Sequence, residues 1–240
     1  NAQGVQTIHR GNQGKQALCV FENIYFSRPD SYIGNKLVYS TRFKMGRQLV
    51  WEHPVEADIV IGVPDSATAA AAGYSEESGI PYREGLVKNR FVGRTFIQPD
   101  QRIRELGVQL KFNPLPDVLA GKRVILVDDS IVRGTTTPHV IGLLRKAGAS
   151  EVHVRVCSPP IMWPCRFGVD MATRQELIAN KLDIPGICRW IGADSLGYLS
   201  LKGLFSATGA KDRDFCAACF TGNYPIEVQI GMDKLELEQV

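Results

Sequence analysis

Short apolar runs alternate with helical patterns along most of this 240-residue chain. Three of the runs predict buried strands, because each is short and ends in turn-forming polar residues: residues 58–63, 124–127 and 151–157. The segments between them predict two helices that end at Gly79 and Gly148, residues 67–78 and 137–146. This order predicts parallel strands joined by right-handed crossovers. Because such sheets bind ligands at the carboxyl ends of their strands, the turns after Val63 and Val127 are the first candidate sites.

The pattern changes after Ser158, where three prolines interrupt the chain and helical patterns follow at residues 173–180 and 183–191. We interpret residues 158–225 as a C-terminal helical extension packed on the α/β core, within one domain of residues 19–225. Residues 1–18, which are polar and rich in Gly and Gln, predict a flexible tail or the remnant of a linker. Residues 226–240 predict a C-terminal tail.

Composition excludes few functions. The net charge of +3 is too small to indicate a general nucleic-acid-binding protein. No run of roughly 18 apolar residues exists, so we expect no membrane span, and the start shows no signal peptide. With no sign of secretion, the six cysteines favour a reducing compartment and metal binding over disulfides.

Residues 124–137, VILVDDSIVRGTTT, combine a buried strand, two carboxylates and a Gly-Thr helix start. Asp128 and Asp129 can accept hydrogen bonds from vicinal sugar hydroxyls or hold Mg²⁺. Gly134 lets the backbone approach a ligand, and residues 135–137 place hydroxyls beside the free N–H groups of the helix start, which attract anions. The alternative is an Asp turn before a capped helix, which would need only one acid and one Thr. The whole pattern therefore predicts a site for a phosphorylated sugar.

The same segment resembles the phosphoribosyl pyrophosphate (PRPP) signature of type I phosphoribosyltransferases. Further segments resemble amidophosphoribosyltransferases, also called glutamine PRPP amidotransferases, and specifically their iron–sulfur subclass: residues 19–31, 62–67, 88–99, 158–170 and 216–225. The resemblance covers residues 19–225. It implies an α/β protein of the type I phosphoribosyltransferase fold, with a parallel sheet flanked by helices.

The resemblance also implies roles for individual residues. It implies that PRPP binds to residues of the two turns, namely Asp65, Ser66, Asp128, Asp129, Ser130, Arg133, Gly134, Thr135 and Thr136. Of these, Ser66, Asp128 and Asp129 would lie near Mg²⁺, and the turn at residues 62–67 would bind the pyrophosphate. On local sequence alone, an N-cap formed by Asp65 or Ser66 explains that turn equally well.

Residues 88–104 are strongly basic and resemble the flexible loop that closes over PRPP in this family. They contain one acid, Asp100, against five cations: Lys88, Arg90, Arg94, Arg102 and Arg104. Closure would exclude water that competes with ammonia, and Lys88 and Arg94 would act with Asp128 and Asp129 in catalysis. We expect this loop to be mobile without ligand. A solvated basic surface loop is the alternative.

Four cysteines match the positions that bind a cluster in the family: Cys19, Cys165 and the C-x-x-C pair Cys216 and Cys219. Four thiolates suit either a 4Fe–4S cluster or Zn²⁺, and the resemblance favours the cluster, in a structural role. We expect the other two, Cys157 and Cys188, to be buried residues that behave as apolar side chains.

The family reaction replaces the pyrophosphate of PRPP with ammonia and gives 5-phosphoribosylamine, the first committed step of purine synthesis. It needs no dedicated protein base. In the family the ammonia comes from an N-terminal glutaminase domain, which we expect to be missing here, so the chain would use free ammonia unless it is a fragment or has a separate partner.

The resemblance further implies a homo-oligomer, commonly a tetramer, inhibited by purine nucleotides. We expect a cytoplasmic protein, or one of the plastid stroma if a transit peptide was removed. Two other functions remain open: a non-catalytic regulator that senses PRPP, and a nucleobase phosphoribosyltransferase. The second would not require the cysteine set.

Overall fold

The computed structural model of the chain describes residues 17–89, 111–169, 171, 173–209 and 215–227. Its strands are β1 (Leu18–Cys19), β2 (Tyr32–Ile33), β3 (Lys36–Leu37), β4 (Ile59–Gly62), β5 (Leu86–Lys88), β6 (Phe112–Pro114), β7 (Arg123–Asp128), β8 (Glu151–Val156), β9 (Ser195–Tyr198) and β10 (Phe215–Cys216). Its α-helices are α1 (Val38–Glu52), α2 (Thr68–Ser78), α3 (Pro116–Leu119), α4 (Thr136–Lys146), α5 (Ile184–Ile191), α6 (Leu201–Thr208) and α7 (Ala218–Thr221). None of the helices in these ranges has the length and apolar character needed to cross a bilayer.

The central sheet has the order β4-β7-β8-β9, and every pair in it is parallel. Strands β4, β7 and β8 are rich in Val and Ile and almost fully buried, as strands covered on both faces must be. These three strands and the parallel pairing are as predicted. Strand β9 has the sequence SLGY, which carries no periodic apolar pattern, and it was not predicted.

Helices α1 and α2 pack against each other almost backbone to backbone. A methyl group on Gly46 would overlap the carbonyl of Ala70, and one on Gly73 would overlap the carbonyl of Phe43. The small side chains on this face therefore permit a close approach that larger ones would prevent. This pair covers one face of the sheet beside β4.

The segment from Thr173 to Ile191 differs in part from its predicted helices. The first predicted helix is instead two short 3₁₀ turns, Arg174–Glu176 and Ile178–Asn180. The second is α5, which begins after Asp183, whose Oδ1 accepts a hydrogen bond from the Gly186 N–H at 2.8 Å. Such 3₁₀ turns are too short to carry an α-helical period, so the apolar pattern alone does not distinguish them from a helix.

Three small strand pairs lie outside the central sheet in the described residues. Strands β2 and β3 form a local antiparallel pair, and the other two pairs join segments that are far apart in the sequence. Strands β5 and β6 form an antiparallel ribbon, and the Asn89 N–H donates to the Lys111 carbonyl at 2.8 Å just beyond it. Strands β1 and β10 are parallel and place Cys19 opposite Cys216. The β5–β6 ribbon therefore ends where the basic segment of residues 88–104 begins. The β1–β10 pair joins a segment near the start of the described residues to one near their end.

Candidate active site

The two predicted turns meet at the carboxyl edge of the sheet. Strands β4 and β7 are neighbours, with Gly62 opposite Val127, and the Val63 N–H donates to the Val127 carbonyl at 2.9 Å. Residues 63–67 and 129–135 therefore leave the sheet side by side. This edge is where doubly wound sheets bind their ligands.

An acidic pair occupies the end of β7. Asp129 is buried, Asp128 is half-buried, and the Asp129 N–H donates to Asp128 Oδ1 at 2.9 Å. The Ser130 hydroxyl donates to Asp129 Oδ1 at 2.6 Å, and the hydroxyl of Ser66 from the other turn favours the ionised form of Asp129. Burial, followed by the charge of Asp129, raises the pKa of Asp128 well above its ordinary value. Burial also raises the pKa of Asp129, although both serine hydroxyls oppose the shift.

Two cations that the sequence reasoning missed face this pair. Arg42 of α1 is buried, donates to the carbonyls of Asn23 and Ser27 at 2.9 and 2.8 Å, and acts electrostatically on Asp129. Lys111 is half-buried, and burial, followed by the charge of Lys88, lowers its pKa, while the site carboxylates oppose that shift. An arginine inside an otherwise apolar helix face could have indicated a buried acidic partner.

The turn after β4 carries an ion pair to the ribbon. Lys88 Nζ lies 2.7 Å from Asp65 Oδ2, and the Asp65 side chain is 78% exposed. The Pro64–Asp65 peptide bond is cis. Helix α2 has Ala67 at its N-cap without a side-chain cap, so neither Asp65 nor Ser66 caps it. The alternative explanation of this turn as a capping motif is therefore wrong.

The predicted phosphate loop ends at α4. Gly134 has a φ of +68°, a conformation that favours glycine, and Thr135 is the N-cap without a side-chain cap bond. The side chains of Thr135 and Thr136 are exposed, but Thr137 is buried in the core. The hydroxyl of Thr137 is therefore not available to a ligand as we expected, because its place on α4 faces the sheet.

Arg133 lies in the same loop, and its guanidinium contacts Glu176 at 2.5 Å, so it faces the 3₁₀ turns. The predicted catalytic Arg94 and most of the basic loop lie outside the described residues. Of that loop, the structure describes Lys88 and Asn89. The mobility of the loop stays a prediction.

The four predicted cluster cysteines line one cavity of about 630 Å³. Burial, with contributions from Cys165 and Cys216, raises the pKa of Cys19, and burial with contributions from all three others raises the pKa of Cys219. Within the described ranges, no three His, Cys, Asp or Glu side chains form a group that could hold a metal ion.

The two remaining cysteines differ from each other. Cys157 is buried, as expected, at the end of β8. Cys188 is only half-buried, and its thiol contacts the Ala193 carbonyl at 3.3 Å. The prediction of a buried position was therefore correct for Cys157 and wrong for Cys188, which lies on the partly exposed side of α5.

Solved structures define the class of this fold, although no protein-family model matches the chain. A glutamine PRPP amidotransferase from B. subtilis, in complex with ADP and GMP, is 48% identical and has a TM-score of 0.85. The allosteric regulatory enzyme of purine biosynthesis is 50% identical and has a TM-score of 0.83. They match 96% and 92% of this chain, and 52% and 48% of their own chains. The chain has the type I phosphoribosyltransferase fold, as predicted.

Curated relatives identify the family more narrowly. An amidophosphoribosyltransferase from Synechocystis sp. is 54% identical over 239 residues, which are 99% of this chain and 48% of the relative. One from Methanocaldococcus jannaschii is 56% identical over 224 residues, which are 93% of this chain and 46% of the relative. The chain spans about half the length of the curated relatives it matches. Over that half, the predicted resemblance to amidophosphoribosyltransferases is confirmed.

Proposed function

We propose that this chain carries the phosphoribosyltransferase site of an amidophosphoribosyltransferase, and that the site forms 5-phosphoribosylamine from PRPP and ammonia. One observation carries the proposal: the turns at residues 63–67 and 129–135 lie side by side, because they follow neighbouring parallel strands. The second turn contains the acidic pair and leads into the N-terminus of α4, which attracts anions. The family of the relatives supports the same reaction.

The ribose and the 5′-phosphate would bind at the end of β7. The carboxylates of Asp128 and Asp129 accept hydrogen bonds from the vicinal ribose hydroxyls, which relieves the repulsion between two adjacent acids. The backbone N–H groups after Gly134 and the exposed hydroxyls of Thr135 and Thr136 bind the phosphate at the start of α4, where the helix dipole favours an anion.

The pyrophosphate would lie over the turn after β4. Ser66 and Asp65 belong to that turn, and Lys88 and Lys111 stand at the ribbon ends beside it. The oxygen ligands of Asp128, Asp129 and Ser66 fit Mg²⁺, because hard cations bind carboxylate and hydroxyl oxygens. When bound, Mg²⁺ neutralises charge on the leaving pyrophosphate. The lysines add positive charge at the same place, and Lys88 would exchange Asp65 for a phosphate oxygen.

The bond changes need no protein nucleophile. The nitrogen of ammonia bonds to C1 of the ribose while the C1–oxygen bond breaks, pyrophosphate leaves with the bond electrons, and the nitrogen loses a proton to solvent. The site contributes by holding the sugar and stabilising the leaving charge. The positive charge of Arg42 lowers the pKa of Asp129, and an ionised Asp129 can accept hydrogen bonds from the ribose hydroxyls.

We propose that the cysteine cavity holds a 4Fe–4S cluster, on the chemistry of its four thiols and not on their present arrangement. Cys19, Cys165, Cys216 and Cys219 line it, and four thiolates are the ordinary ligands of such a cluster. Bound there, it would join the β1–β10 pair to the segment around Cys165 and thus stabilise the fold.

Purine nucleotides are proposed as inhibitors of this activity. The B. subtilis structure contains ADP and GMP, and the second matching structure is of an allosteric regulatory enzyme. A homo-oligomer, commonly a tetramer in this family, and an ammonia supply from a glutaminase domain are further proposals that follow from the family.

Pyrophosphate release from PRPP with Mg²⁺ and ammonium tests the proposal. We expect release by the wild-type chain, and a loss of at least about 100-fold in Asp129→Asn, because the variant removes a charge that acts on the reacting sugar. Asp117→Asn is the control, since Asp117 is exposed on α3. Equal activity in all three proteins, or adenine-dependent but ammonia-independent release, would contradict the assignment.

A further inference from the structure

The phosphate loop is the segment between β7 and α4, residues 129–135. One other segment of the chain, residues 173–191, contacts this loop. Three consecutive loop residues each contact it. The Ile178 N–H donates to the Val132 carbonyl at 3.0 Å, Arg133 pairs with Glu176, and the indole Nε1 of Trp190 donates to the Gly134 carbonyl at 3.2 Å. Contacts at every residue from 132 to 134 fix the path of the loop just before the helix start.

Glu176 is itself held in place. Its Oε2 accepts hydrogen bonds from Arg133 Nε and Nη2 at 2.9 and 2.5 Å, and its Oε1 accepts one from the Thr173 hydroxyl at 2.8 Å. Partial burial raises the pKa of Glu176, but the bonds from Arg133 and Thr173 outweigh burial and lower it overall. The carboxylate is thus ionised and oriented at neutral pH, and Arg133 points toward it.

Trp190 contacts the loop nearest to the expected ligand. Its side chain is 63% exposed, so apolar burial explains little of its position, and its N–H bonds to the carbonyl of a glycine in the left-handed region. Ile178 packs against Gly134, where its Cδ1 leaves no room for a Cβ. A hydrogen bond to this carbonyl fixes the orientation of the peptide unit between Gly134 and Thr135, whose N–H is one of the phosphate donors.

We propose that Trp190, with Glu176, is a positioning residue for the phosphate loop, and that its indole N–H holds the N–H groups after Gly134 in the orientation that binds the 5′-phosphate of the sugar. This inference rests on the proposed function. It adds to that function a residue on α5, remote from the two ligand turns in the sequence.

Trp190→Phe tests this inference, because phenylalanine keeps an aromatic ring and lacks the N–H. Trp51→Phe is a matched control. Trp51 lies on α1 and is 60% exposed, and its Nε1 donates to Glu77 of α2 at 2.8 Å. Both variants lose one indole hydrogen bond at a mostly exposed site, so their effects on overall stability should be similar.

Two measurements are made on both variants and the wild type. The first is amide hydrogen exchange at Ile178, whose N–H bonds to the loop and whose exchange reports local opening. The second is the dissociation constant of PRPP with Mg²⁺, together with kcat and KM. We expect Trp190→Phe to accelerate exchange and to weaken PRPP binding about 3- to 10-fold, the value of one net hydrogen bond, with kcat nearly unchanged. Trp51→Phe should change neither.

Unchanged exchange in Trp190→Phe would overturn the inference whether or not PRPP binds. Faster exchange with an unchanged dissociation constant would overturn the role in ligand binding. A wild-type chain that does not bind PRPP at all would instead refute the proposed function and the ligand part of this inference, while faster exchange in the variant would still support the structural contact.

Discussion

Gly134→Ala perturbs the phosphate loop at a position that favours glycine. Two effects act there together. The φ of +68° lies in the left-handed region, and a Cβ would overlap Cδ1 of Ile178, a side chain that is only 4% exposed. Two other glycines separate these effects. Gly121 has a φ of +71° with no atom within 4 Å of its Cβ position, and Gly142, inside α4, has neither constraint.

The expected magnitudes follow from this comparison. Gly121→Ala should lower the free energy of unfolding by about 1–2 kcal/mol, the cost of the left-handed conformation for a residue with a Cβ. Gly134→Ala should cost this amount and about 1–3 kcal/mol more, because Ile178 must move within a packed core. Gly142→Ala should raise the free energy of unfolding by about 0.5–1 kcal/mol, since alanine is the better helix former.

Urea denaturation of the three variants and the wild type measures these differences, with equal m values as the check that the transitions are comparable. Gly134→Ala should also weaken PRPP binding more than Gly121→Ala does, since only Gly134 lies in the loop. The reasoning is refuted if Gly134→Ala is no less stable than Gly121→Ala, because the contact with Ile178 would then carry no cost.

Two further predictions concern the acidic pair and the cysteines. Asp128→Asn should stabilise the unliganded protein by about 0.5–2 kcal/mol at pH 7, and the gain should vanish below about pH 4. The reason is that the raised pKa of Asp128 lets the folded chain bind more protons than the unfolded chain, so wild-type stability falls as pH rises above the ordinary Asp value. Urea titrations between about pH 3 and 8 without Mg²⁺ measure this, and a variant less stable at pH 7 would contradict it. Cys165→Ser should lower the iron and sulfide content of anaerobically purified protein, and Cys188→Ser should not, because Cys188 lies outside the cavity. Zinc without iron in the wild type would contradict the cluster.

The sequence predicted the parts of the site that lie within short segments. The strand before Asp128 is a run of Val, Ile and Leu, and the acids and Gly134 follow it directly, so the pattern and its place at a strand end are visible together. The parallel orientation of β4, β7 and β8 also followed from local patterns, because strand–helix–strand units form parallel strands with right-handed crossovers.

Contacts between distant segments could not be predicted in this way. Arg42 faces Asp129 from α1, and Trp190 bonds to Gly134 from α5, so both depend on how helices pack on the sheet. The burial of Thr137 depends on the rotation of α4, which one residue of shift would change. The 3₁₀ turn Arg174–Glu176 has no buried residues, so no helical apolar period marks its true form.

The rate of pyrophosphate release as a function of ammonia concentration, at fixed PRPP and Mg²⁺, tests the proposed function most directly. The chain should release pyrophosphate at a rate that rises with ammonia and saturates with PRPP, and each pyrophosphate should be matched by one ammonia consumed. Folded, cluster-loaded protein that binds PRPP but releases no pyrophosphate at any ammonia concentration would contradict the proposal and leave a PRPP-binding regulator in its place.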